Sequence, residues 1–232
     1  MSLPKIEHPL FNITIPSTGE KVKFRPFTVK EEKILLIAQQ SDDSEQVVQS
    51  IKQIINNCVQ DIDVDKLAMF DLEFIILSLR SKSVNNIIDF SVVDPETEDR
   101  VNLSLNLDTV QVVYNDKHDK NIKIDEKSLF TMRYPSINEL SELIDDPQNE
   151  EVVFKALVNC VDKLFYGDQV YDMTSYSYEE RSEFVESLDS NILSAMRAFF
   201  ETMPKIRHEI EYKNSNGNKK TFVIEGLDNF FI

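Results

Sequence analysis

A chain of 232 residues with 41 acidic and 25 basic side chains has a formal net charge of -16, and 41% of it is hydrophobic. That length suits one large domain or two small ones, with enough apolar material for a packed core. The charge repels phosphate, which argues against nucleic acid and anionic membranes as partners.

In chain order, the first predicted element is a short strand at NITIP, near Asn12. FRPFTVKEEKILL, Phe24 to Leu36, then reads as a strand running through Pro26 into a helix. Thr28 can cap that helix, and Glu31 three positions on makes a capping box, in which orphan backbone donors are satisfied reciprocally. Val47, Val48, Ile51, Ile54, Ile55, Cys58 and Val59 recur at helical spacing and predict an amphipathic second helix. FDLEFIILSLRS, Phe70 to Ser81, predicts a third, apolar on most sides and therefore central to a core. It closes on LRSKSVNN, where Arg80 and Lys82 interrupt the acidity. Positive charge there complements the helix dipole; the sharper reading is docking on an acidic partner surface. Ile87 to Val93 and Val101 to Leu107 flank the polar turn DPETED and predict a hairpin, with alternating Val101, Leu103, Leu105 and Leu107.

A connection follows near Val110 to Lys120, with His118 in a polar stretch, NDKHDKN, that predicts a solvated side chain. The same order then recurs. NIKID, near Asn121, resembles NITIP, and in MRYPSINELSEL the residues Arg133, Ser136 and Glu139 stand where Arg25, Thr28 and Glu31 stood. Val152, Val153, Ala156, Leu157, Cys160, Val161 and Leu164 predict a second helix, with Cys160 in the place of Cys58. Leu188 to Phe200 matches the third helix. Arg207 to Tyr212 and Lys220 to Glu225 flank NSNGN, whose Asn216-Gly217 is a turn signal. The expected fold class is α+β: two tandem copies of a strand–helices–β-hairpin unit, from an internal duplication. The first repeat would span residues 1–110, a connecting segment 111–120, and the second repeat 121–232. The tail DNFFI ends on Phe230, Phe231 and Ile232, which either fold back into the second copy's sheet or insert into another subunit's groove.

Motifs that carry chemistry are sparse. The four glycines are too far apart for a phosphate-cradling loop. His8, His118 and His208 lack partners at metal-ligand spacing, and no serine sits in a nucleophile elbow. The acidic runs SDDSE and LIDDPQNEE fall at loops and helix starts, where solvated acids complement helix dipoles. The expectation is a protein that is not an enzyme, with no catalytic residue, no cofactor and no metal. Cys58 and Cys160 are expected to be buried, unpaired small hydrophobes, as in a chain kept in a reducing cytoplasm. No apolar run approaches the ~18 residues of a membrane span, and MSLPKIEHPLF lacks the apolar region of a signal peptide.

HPLFNITIPSTGEKVKFRPFTVKEEKILLIAQQSDD resembles the N-terminal signature of the T4-type phage baseplate hub subunit family. IKQIINNCVQD and FDLEFIILSLRSKSVNN resemble the family's second and third blocks, so the likeness is dense over roughly residues 5 to 95 and looser beyond. It implies a non-enzymatic protein of tail morphogenesis, a structural component of the baseplate's central hub that contacts other hub proteins. The alternative is a transient assembly factor for hub precursors that leaves the mature particle. Host cytoplasm during assembly, then the virion tail baseplate, are the expected locations. Some relatives carry cysteines in the hairpin after LRSKSV that would form a metal knuckle; DFSVVDPETEDRVNLSL has none, so that site does not carry over. The candidate partner-binding residues are Arg25, Lys30, Lys33, Arg80 and Lys82, with Phe230 and Phe231 in the tail. Against this stands an architectural reading, in which Arg25 and Arg80 are tied up in pairs with Glu31 or Asp71.

Overall fold

The structure, a computed structural model, describes residues 6–38, 40–41, 44–139, 143, 146 and 148–226. It is α+β, with small antiparallel sheets and helices in two compact units.

The first unit opens with a hairpin, β1 (Phe11–Thr14) and β2 (Lys21–Phe24), in register Asn12 with Lys23. Ile13, Val22 and Phe24 point inward and Lys21 and Lys23 outward, the period-2 pattern of a half-buried ribbon. Three helices follow: α1 (Val29–Ala38), α2 (Ser44–Cys58) and α3 (Met69–Ser83). α2 buries Val48, Ile51, Ile54, Ile55 and Cys58 at helical spacing. α3 is the central helix that its sequence predicts, with Ile75, Ile76 and Leu79 fully enclosed. Its first turn is secured by buried Asp71, which accepts from the Ala68 backbone at 3.1 Å and from Ser17 at 2.8 Å. The hairpin β3 (Ile87–Val93) and β4 (Arg100–Asn106) comes next, then the short β5 (Gln111–Val113).

The second unit, Tyr114–Pro204, contains β6 (Asn121–Lys123), β7 (Ser128–Met132), a helical turn opening at Ile137, α4 (Glu150–Asn159), β8 (Val161–Tyr166), β9 (Gln169–Asp172), α5 (Tyr178–Glu186) and α6 (Ser190–Glu201). Its four strands form one sheet in the order β6-β7-β8-β9. Phe130, Met132, Leu157, Cys160, Val161, Met196 and Phe199 build its core.

The chain then returns to the first unit as β10 (Lys205–Lys213) and β11 (Lys219–Glu225), giving a sheet of order β11-β10-β5. Lys205 pairs in register with Val113, the last residue before the second unit, so that unit is an insertion between two neighbouring strands. Leu77, Leu105, Leu107, Val110, Ile206 and Ile224 form the core beneath. The two hairpin turns are also joined. Buried Asp94 accepts from the Tyr212 hydroxyl at 2.7 Å, and Glu96 accepts from Asn218 at 2.7 Å and pairs with Lys220 at 2.6 Å.

The division differs from the expected halves, 1–110 and 121–232, in two respects. The final hairpin completes the first unit, because its apolar face meets Leu77, Leu105 and Leu107 and its edge meets β5. The element order of the halves also differs, by the β8–β9 hairpin and α5. The second-half helix was expected to run through Leu164, but it caps at Cys160, and Leu164 pairs with Phe130 across β7 and β8. Gly167, at φ +58°, makes the following turn.

Candidate functional site

Most of the candidate residues gather where β2 feeds α1 and where α3 ends. Arg25 continues the line of β2, its backbone N–H donating to the Cys58 carbonyl at 2.9 Å. Pro26 then ends the strand. The Phe27 N–H donates to the Ser83 hydroxyl at 2.6 Å, which ties the entry of α1 to the last turn of α3.

Arg25 is an internal clasp. Its guanidinium reaches both oxygens of Glu31, at 3.2 and 3.1 Å, and donates to the Pro26 carbonyl at 3.0 Å. Glu31, only 1% exposed, also accepts the Thr28 N–H at 2.9 Å and the Thr28 hydroxyl. Thr28 stands at the N-cap position of α1, its carbonyl accepting from the Glu32 N–H at 3.0 Å, but its hydroxyl donates to Glu31 instead of accepting a helix N–H, so the expected capping box closes from the glutamate side only. Burial works against the Glu31 charge, but the bonds from Arg25 and Thr28 outweigh it and bring the carboxyl down to about 2. The same device stands in the second unit. The Arg133 N–H donates to the Cys160 carbonyl at 2.8 Å, its side chain reaches Glu139 at 2.8 Å, and Glu139 accepts the Ser136 N–H at 2.8 Å. For Arg25, the architectural reading is the one the geometry supports.

The other cations divide. Arg80 is half-buried, and burial lowers its pKa from the ordinary value. Lys82 pairs at 2.9 Å with Asp108, which also accepts from the Ser81 hydroxyl and from Asn86 at 3.0 Å. Those bonds, the one from Ser81 foremost, hold Asp108 at about 2. Lys30 and Lys33 project from α1 into solvent. Phe230 and Phe231 lie outside the described residues.

α1 also carries a feature that the spacing of its residues does not reveal. Its fully buried residues are Glu31 and Ala38, whereas Val29, Leu36 and Ile37 are 81%, 53% and 49% exposed. At 3.6 residues per turn, Val29, Lys33, Leu36 and Ile37 share the outer face, with Lys30 along one border and Glu32 along the other. Val84, 74% exposed, follows Ser83 and so lies beside the entry to this helix. A signal was present in ILLIA, an apolar run with no polar side, but such a run does not say which side will be left bare.

His118 is not the solvated loop residue expected from its polar neighbours. It is half-buried, with Nδ1 3.0 Å from the Thr202 hydroxyl and Nε2 3.1 Å from that of Tyr134, and its ring centroid is 4.9 Å from that of Phe199. Burial and nearby Lys120 lower its pKa. Among the described residues no three acids, histidines or cysteines converge as metal ligands, and no helix is long and apolar enough to cross a membrane.

A family model described as T4 bacteriophage base plate protein matches residues 8–232. No curated protein and no solved structure matches the chain.

Proposed function

The chain belongs to the T4 bacteriophage base plate protein family, and on that premise we propose that it is a non-enzymatic structural component of the baseplate's central hub. It acts by binding other hub proteins. The observation that carries this reading is the outer face of α1, which holds three apolar side chains and two lysines in solvent on a strongly acidic chain. Apolar side chains left in solvent on one helix face, interleaved with lysines, suit docking against another protein. The Arg25–Glu31 clasp and the Phe27–Ser83 bond hold that face in place, so little ordering is left to be done on binding. The repeated Arg–Glu–hydroxyl arrangement supports descent of the two halves from one duplicated unit, while the differing element order, with β8, β9 and α5 in one half alone, counts against it.

Protein quantification on purified mature baseplates tests the reading. A stoichiometric copy number is expected. Presence in hub precursors with absence from mature particles would make the protein a departing assembly factor instead.

A further inference from the structure

We propose that the outer face of α1 is the seat for an acidic amphipathic helix of another baseplate protein; this rests on the reading of the chain as a hub component. Val29, Lys33, Leu36 and Ile37 fall at i, i+4, i+7 and i+8, the spacing by which one helix presents a ridge to another laid along it. At about 1.5 Å per residue the ten-residue α1 offers about 15 Å, or roughly three turns of a partner helix. Lys33 lies within the apolar stripe and Lys30 at its border, and neither has an ion-pair partner among the described residues. An occupant that desolvates them must therefore bring carboxylates alongside its apolar residues.

A second copy of this chain fits poorly. Two copies meeting through this face about a two-fold axis would bring their Lys30 and Lys33 side chains together, with no acid on the face except Glu32 at its border. Each copy would also carry a net charge of -16.

The test places the photo-cross-linker p-benzoylphenylalanine at Leu36 of the full-length chain, in cells assembling baseplates, and maps the adduct by mass spectrometry. The expected adduct lies in another baseplate protein, within a segment whose apolar residues recur every three to four positions and are flanked by Asp or Glu. Lys30→Glu with Lys33→Glu should lower adduct yield at least tenfold while the protein still unfolds cooperatively within a few degrees of the unsubstituted chain. An adduct to another copy of this chain, or to a segment without carboxylates, overturns the proposal. So does the absence of a protein adduct while the chain still enters the baseplate, an outcome that leaves the hub reading standing. A chain that never enters baseplates, with or without the cross-linker, defeats the hub reading and this proposal together.

Discussion

Arg25 and Glu31 make one link between β2 and α1, and the pH dependence of that link follows from the charge it protects. The Glu31 carboxyl is at about 2 in the folded chain against an ordinary 4.5. A depressed carboxyl stabilises the fold wherever it is ionised in both states, so its contribution is complete above about pH 4.5 and lost as the pH falls toward 2. Asp108, brought from 3.8 to about 2, adds to the same acid window. Urea midpoints should therefore fall between pH 4.5 and 2, and Glu31→Gln should flatten that fall. At neutral pH the same variant should lose about 2 kcal/mol, below the ~3–5 of a fully buried pair because Arg25 is a quarter exposed. An unchanged acid profile in Glu31→Gln would remove the clasp from the account of stability. The two cysteines are a second residue-scale case. Burial pushes the thiol of Cys58 up to about 11 and that of Cys160 to about 12. Both should resist a thiol reagent in the native protein and react on unfolding; rapid native labelling would contradict their burial.

At the scale of the element, α1 is held by capping and by one buried ion pair more than by a broad apolar face. Lys30→Glu with Lys33→Glu, and separately Leu36→Glu, should each change thermal stability by no more than about 0.5 kcal/mol per site, the range for surface positions. Ile54→Ala in α2, where the side chain has no exposure, should cost about 2–5 kcal/mol. Calorimetry on the three variants checks the contrast. A large loss in Leu36→Glu would mean that the outer face of α1 serves the fold and is not free for a partner.

For the whole molecule, the consequential feature is that the first unit is closed by β10 and β11, which follow the second unit in the chain. A chain ending at Pro204 would leave Leu77, Leu105 and Leu107 without Ile206 and Ile224, and β5 without its neighbour. Such a truncation should bind a hydrophobic dye and lose amide protection in β3 and β4, while β6 to β9 keep theirs, since the second unit has its own core. Full protection of β3 and β4 in the truncated chain would show that the closing hairpin is dispensable.

Features coded within a few residues were legible in the sequence alone. The returning glutamate of Glu31 onto Thr28, the turn at Asn216-Gly217, the alternation through Leu103 and Leu105, the buried cysteines and the α+β class all follow from local spacing and polarity, which act on neighbours along the chain. The partners of these elements were not legible, because partner choice is settled by surfaces far apart in sequence. β10 and β11 read as a hairpin from their residues, but only the tertiary structure seats them on α3, β4 and β5 in place of the second half. Arg25 reads as a free cation or a paired one with equal ease until Glu31 is brought back onto it. ILLIA announces an apolar helix, and its bare side is decided by where α2 and the end of α3 lie. Apolar character is a property of the residue; burial is a property of its surroundings.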